Sequence, residues 1–549
     1  MVGQIADIAN GWDRLVQLCT AEGIVIKREK TRGLWPFDER IVPVPADVSA
    51  WFTAHEIPLF TGCLPVLGGS VGFDDAKRAA FALEKVNSLS NTTFRLFRHA
   101  DIPVQTLPPL LRSCAVPSIS HIISTIPPAL TTAASTAFDH LILQTFSDSM
   151  QIPFSDLTTA EASPLLQSSI RHGGIGLRPQ TGITSDISFL CSYFRTAATM
   201  PYRLTTHRPN TPPAASFQIA LDIIANLKLK YPLLSAILPI RDGQSDRLRI
   251  NPSLTAKPRA KARRHLQNAI TDIIDKTNYE RFQSGNLPLV VKKTLESFSN
   301  PLARRIFLLT GSDEETRMQN PEARLLYREH LHLHAFSGQP PIICPCGASF
   351  SVDHPMCCNL LKREENTGER HDPIQNVTGK LATECGVGVQ YTKRSSEATS
   401  ARKPDLHFTF RDTPTKAFAD VQVNHTIAPS LINRSVGAIL NGSANTKVSK
   451  YKADCHKPNQ PHLDFYALII SSFGVFGSEF ITLLTRLAKH SIDNRLSTHD
   501  TTISQIFYRM VDRILVTLHI GNGAISLAGW EQAEKSNLVG YSNSVDSQN

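Results

Sequence analysis

The sequence predicts a multidomain α+β chain. A mostly helical middle leads through a small metal-binding knuckle into a C-terminal α/β domain with a mixed sheet. Three observations point there. The 549 residues exceed what one hydrophobic core organises and fit about three or four domain-sized units. Four of the ten cysteines, Cys344, Cys346, Cys357 and Cys358, fall within fifteen residues. Beyond that cluster, helical spacing gives way to the alternation of strands.

Composition narrows the class. With 41% hydrophobic and 19% charged residues, disorder over most of the length is excluded. A net charge of +9 and a pI near 9.0 lean toward polyanionic partners. The N-terminal MVGQIADIANGWDRLVQ lacks the basic start and unbroken apolar stretch of a secretory signal. The longest apolar stretch, 465–484, carries Glu479 and is split by Gly474 and Gly477, so it is not expected to span a membrane. A reducing compartment follows, and the cysteines need a role other than disulfides.

Along the chain, Gly23-Ile-Val-Ile26 reads as a strand leaving the basic turn Lys27–Thr31, ahead of Leu34-Trp-Pro36. Leu64–Gly72 reads as one glycine-punctuated strand, and Asp74–Ser88 as a helix. Two proline-flanked helical pieces follow, around Leu110–Cys114 and Ala133–Met150. From 151 to about 340 the spacing is mainly helical, interrupted by loops such as Arg208–Pro213. Lys257, Arg259, Lys261, Arg263 and Arg264 place five cations in eight residues with no acid. That run is either a solvated helix start or a phosphate-contacting face.

After the cysteines, Leu406, Phe408 and Phe410 alternate with polar residues, Arg411–Thr415 turns, and Phe418–Val423 alternates again, which predicts a hairpin. A helix is expected at about 445–456, a strand near Leu463–Ser471, and another helix from Ser478, a good N-cap residue. Ile503, Ile506, Phe507, Met510, Ile514, Leu515 and Leu518 give the last helix its apolar face, and the final ten or so residues are expected to fray.

Two constellations carry chemistry. Cys344-x-Cys346-x7-His354-x3-Cys358 offers four ligands of the kinds that close a tetrahedral structural zinc site, with Cys357 an alternative fourth. The competing reading is a set of buried free thiols. Farther on, Arg402-Lys-Pro-Asp405-Leu precedes Asp420-Val-Gln422-Val. Residues two apart on a strand share a face, so Asp420 and Gln422 project with Phe418, and the hairpin sets Asp405 beside Asp420. Adjacent carboxylates on a sheet edge suit a Mg²⁺ or Mn²⁺ ion that polarises a phosphodiester and activates water. Lys447 and Lys450, at i and i+3, share a helix face from which either could supply positive charge.

This second constellation resembles the PD-(D/E)xK nuclease motif, with Gln422 where a lysine is expected. In order, the features resemble the C-terminal part of non-LTR retrotransposon reverse transcriptases that carry a restriction-like endonuclease. That family has a Cys-Cys-His-Cys motif, an Arg-His element, a PD…D core and a displaced lysine followed by Lys-Tyr. The matching positions are Cys344, Cys346, His354 and Cys358, then Arg370-His371-Asp372, Asp405 and Asp420, and Lys447 with Lys450-Tyr451. The resemblance favours Cys358 as fourth zinc ligand, sets His371 near the nuclease cleft, and gives Arg370 and Tyr451 to nucleic-acid contact. Gly23–Thr31, Leu67–Gly72, Leu107–Pro128 and His172–Leu177 are similar to the palm-tail, primer-grip, thumb and Gly-Gly-x-Gly-Leu segments that accompany it.

The resemblance implies a palm remnant over 1–95, a thumb-like helical region over 96–184 and a mostly helical linker over 185–335. A zinc-binding knuckle over 336–362, a restriction-like endonuclease over 363–495, and a C-terminal helix and tail over 496–549 complete it. It further implies a nuclear protein that nicks a DNA target for primed reverse transcription, with structural Zn²⁺ and a catalytic Mg²⁺ or Mn²⁺. The polymerase aspartates are expected to be absent. In Phe73-Asp74-Asp75 the aromatic stands one place too late, and a helix follows. The polymerase half, with its RNA template, would then come from another chain. The alternative is a catalytically inactive remnant that only binds nucleic acid.

Overall fold

The computed structural model describes residues 4–35, 37, 39–66, 68–199, 215–241, 248–249, 256–333, 344, 346, 354–358, 368–392, 404–410, 416–455, 464–496 and 501–546. The protein is a mixed α+β structure, mostly helical, with one four-stranded mixed sheet. It forms two compact units that interleave along the chain. One comprises 1–95, 114–141 and 179–273; the other comprises 96–113, 142–178 and 274–549. This division is coarser than the six segments read from the sequence.

In the first unit, the N-terminal helix Ile5–Ala21 buries Trp12 against Val48, Phe52 and Ile57. Gly23–Ile26 is not a strand. Ile24 and Val25 are exposed, no strand among the described residues pairs with them, and the following turn, Arg28–Lys30, is 3₁₀. The strand lies later, at Gly33–Trp35, paired in parallel with Leu59–Thr61. Leu64–Gly72 is a hairpin rather than one strand: Cys63–Val66 pairs antiparallel with Gly69–Gly72, and Gly68, at φ +84°, makes the turn. Asp74 caps the next helix, Asp75–Asn91, by accepting the Lys77 N–H at 3.0 Å. The basic run lies in the helix Ala256–Ser284, which kinks at His265; the side chains of Lys257, Arg259, Lys261, Arg263 and Arg264 lie outside the described residues.

The second unit holds the four-stranded sheet. Its elements in chain order are α1 (Gly368–Glu384), β1 (Gly388–Tyr391), β2 (Leu406–Thr409), β3 (Lys416–Asn424), α2 (Val436–Cys455), β4 (Asp464–Ser471), α3 (Ser478–Asp493) and α4 (Ile503–Asp546). The strand order is β4-β3-β2-β1, with β3 and β4 parallel and the other pairs antiparallel. The predicted hairpin is therefore β2–β3, with Leu406 opposite Ala419. A parallel pair needs a crossover, which α2 supplies. Helix α2 starts nine residues before its expected beginning. Gly437 and Gly442 mask it in sequence, yet Val436, Ile439 and Leu440 are buried at helical spacing, and that packing overrides propensity.

Strand β4 reads Asp-Phe-Tyr-Ala-Leu-Ile-Ile-Ser and is buried along most of its length, between α2 and α3. Gly474, at φ +82°, turns the chain between β4 and α3, so the apolar stretch 465–484 divides as expected. No described helix is long and apolar enough to cross a membrane. Ser478 is the first residue of α3 and Gly477 its cap, one place from the expected N-cap. Helix α4 buries Met510, Ile514, Leu515 and Leu518 and continues to Asp546, well into the tail expected to fray. The Gly-Gly-x-Gly-Leu segment has a steric basis. Gly173 has φ +84°, and a Cβ there would sit 2.3 Å from the Leu295 carbonyl oxygen.

Candidate metal centre and acidic pair

Four ligand atoms converge in the knuckle. Cys344, Cys346, His354 and Cys358 bring one sulfur or imidazole nitrogen each to within 4.8 Å of one another. Cys344 Sγ lies 3.7 Å from Cys358 Sγ, and Cys346 Sγ 3.3 Å from His354 Nε2. Tetrahedral bonds of about 2.3 Å place ligand atoms roughly 3.8 Å apart, so the group fits a structural metal such as zinc. Cys358 joins it rather than Cys357, because the single turn His354–Cys357 returns Cys358 beneath His354, its N–H bonded to the His354 carbonyl. Burial lowers the His354 pKa and favours the neutral imidazole that ligates. The two inner sulfurs, Cys344 and Cys358, are buried against Trp530 and Ala533 of α4, whereas Cys346 is exposed.

In the cleft, the register that pairs Leu406 with Ala419 sets Asp405 across from Asp420, and opposed residues project on one face. The Asp405 carboxylate accepts the Val421 N–H at 2.8 Å and lies 2.9 Å from His371 Nε2, while His371 Nδ1 lies 2.8 Å from Asp372. Gln375 Nε2 donates to the Asp405 carbonyl at 2.9 Å, so α1 fixes both ends of this residue. Burial alone would raise the Asp405 carboxyl. The hydrogen bonds from His371 and Val421 and the charges of His371 and Lys447 outweigh it and hold the group below the usual carboxylate range.

Asp420 is 4% exposed. Its Oδ1 accepts from the Tyr451 hydroxyl at 3.1 Å, its Oδ2 is ion-paired with Lys447, and Lys450 Nζ donates to the Tyr451 hydroxyl at 3.0 Å. Lys447 thus meets Asp420 directly, and Lys450 reaches it through Tyr451. Ser443, Lys447 and Tyr451 recur every fourth residue of α2 and form one stripe against the face of β3 that carries Asp420, Gln422 and Asn424. Gln422 Nε2 donates to Asn424 Oδ1 at 2.7 Å and lies 3.4 Å from Ser443 Oγ; Asn424 Nδ2 donates to Ser443 Oγ at 2.8 Å.

Most of the residues singled out in the cleft therefore meet: His371, Asp405, Asp420, Lys447, Lys450 and Tyr451, with Gln422 beside them. Two assignments are corrected. Arg370 does not face a nucleic-acid surface. The residue is half-buried, Nη1 donates to Met356 Sδ at 3.4 Å inside the metal-binding turn, and burial lowers its pKa although Glu329 and Cys357 oppose that. Tyr451 is buried, under Phe465 and against Asp420, and serves the acid rather than a polyanion. Sequence reasoning missed Ser443 and Asn424. The signal was present, since Ser443 stands four residues before Lys447 and Asn424 two after Gln422. No family model matches this chain, and no match was found among curated proteins.

Proposed function

We propose that the chain is a metal-dependent DNA endonuclease of the restriction-like kind found in non-LTR retrotransposon proteins, nicking a DNA target for primed reverse transcription. The observation that carries the reading is the cross-strand pair Asp405–Asp420 with a lysine of α2 on the second acid. Asp405 and Asp420 are the residues that would hold a Mg²⁺ or Mn²⁺ ion, which when bound would polarise the scissile phosphate and activate water. His371 and the Val421 amide keep Asp405 ionised and oriented. Tyr451 orients Asp420. Lys447 and Lys450 are the cations available to offset charge developing on the phosphate. In this reading residues 1–184 are a reverse-transcriptase palm and thumb remnant, the cations of 257–264 follow DNA or RNA phosphates, the zinc knuckle is structural, and the protein works in the nucleus.

The test is nicking of supercoiled plasmid in Mg²⁺ or Mn²⁺. Wild-type protein should nick. Asp405→Ala and Asp420→Ala should not, yet should bind DNA as wild type does. Lys447→Met should slow cleavage by about a hundred- to a thousandfold. Wild-type protein that binds plasmid without nicking it, in either metal, sinks the reading. The outcome would then favour a binding-only remnant, for which one observation speaks: Gln422 supplies no charge where the motif expects a lysine.

A further inference from the structure

Gln422 stands where a nuclease of this pattern places its cation, and its surroundings define what it can offer instead. Both amide hydrogens have partners: Asn424 Oδ1 takes one at 2.7 Å, and the second lies toward Ser443 Oγ at 3.4 Å. Asn424 is itself oriented, because its Nδ2 donates to the same hydroxyl at 2.8 Å. Flipping either amide would set oxygen against oxygen or nitrogen against nitrogen, so the three side chains fix one another. Asn424 is buried, which makes a mispaired arrangement costly, whereas Gln422 is partly open to solvent. Among the described residues no hydrogen bond reaches Gln422 Oε1. That carbonyl is what Gln422 has left to present, two residues along the strand from Asp420 and on the same face.

Resting on the endonuclease reading, we propose that Gln422 is a positioning residue whose Oε1 accepts a hydrogen bond from the attacking water, with Asn424 and Ser443 locking its amide away. The positive charge of the site then comes from α2 alone, and position 422 has an acceptor's task. Restoring the motif's lysine should therefore harm the enzyme. An acceptor orients the water's hydrogens and leaves an oxygen lone pair toward phosphorus. A lysine there would donate to that same oxygen and turn the lone pair away.

The experiment compares Gln422→Glu, Gln422→Lys, Asn424→Leu and Asn424→Asp in the full chain, by steady-state plasmid nicking in Mg²⁺. The side-chain amide of Gln422 is followed by NMR in ¹⁵N-glutamine-labelled protein. Gln422→Lys should lose about tenfold or more in kcat with KM unchanged, and Gln422→Glu, which keeps an acceptor but cannot donate to Asn424 Oδ1, should lose less than Gln422→Lys. Asn424→Leu should release the Gln422 amide to solvent exchange and lower kcat, and Asn424→Asp, which can still accept from Gln422, should retain both. Gln422→Lys nicking as fast as wild type or faster overturns the inference, as does a Gln422 amide that exchanges freely in wild-type protein. Wild-type protein that nicks nothing while its Gln422 amide stays protected instead brings down the endonuclease reading beneath it.

Discussion

Replacing Lys447 with methionine isolates the most exposed-to-test interaction of the cleft, because the side chain keeps its length and loses only its charge. Asp420 is 4% exposed, and its remaining partner would be the Tyr451 hydroxyl at 3.1 Å. Breaking a buried ion pair by removing one member costs about 3–5 kcal/mol. The Tyr451 bond and the 20% exposure of the Lys447 side chain put this case at the lower end, about 3 kcal/mol. The two units need not unfold together, so local opening is the right observable, read as amide hydrogen exchange along β3. A loss of 3 kcal/mol should speed exchange of the most protected β3 amides by about a hundredfold. Asp420→Asn should cost less, since the freed lysine can turn to water, and the double variant should recover part of the sum, with a coupling of about 2 kcal/mol. Exchange along β3 unchanged in Lys447→Met, or two single costs that simply add, refutes the reasoning that this pair holds α2 onto the sheet.

Two further outcomes follow from the same geometry. Elemental analysis of purified protein should find one zinc per chain, and Cys346→Ser should lower that content and lose thermal stability, because the remaining three ligands no longer close the site; a zinc-free wild-type protein of equal stability would falsify the metal centre. The Asp405 carboxyl is held below its unfolded value near ~3.9, so its contribution is full above that value and fades as pH falls through the folded pKa. Chemical denaturation repeated downward from pH 5 should therefore show less acid sensitivity in Asp405→Asn than in wild type, and identical slopes would count against the His371–Asp405–Val421 contacts.

How much was legible depended on whether an interaction is local in sequence. The metal ligands were, since four sulfurs and nitrogens within fifteen residues leave few ways to arrange them. So was the pairing of Asp405 with Asp420, because alternation along two strands fixes register once a turn joins them. Lys447 and Lys450 followed from helical periodicity, whereas Tyr451 came only with the family resemblance, and its bond to Asp420 did not come at all. Arg370 was misread because its neighbours in sequence, His371 and Asp372, belong to the cleft, while its own contact, Met356, approaches from the metal-binding turn. Gly23–Ile26 has a strand's composition but no partner among the described strands, and pairing rather than propensity makes a strand. The opposite error at 436–444 came from two glycines whose cost is offset by burial of Val436, Ile439 and Leu440.

The covering of Cys344 and Cys358 by Trp530 and Ala533 also has a consequence in time. A ribosome makes Trp530 about 170 residues after Cys358, which at ordinary elongation rates is roughly ten to thirty seconds. Throughout that interval the knuckle has emerged without its lid, and the sulfurs later buried are open to water, oxidants and metal alike. Zinc captured during synthesis would enter an open site and be sealed in only when α4 docks. A nascent chain interrupted before Trp530 would carry the complete ligand set yet hold its metal in a site that solvent and chelators can still reach.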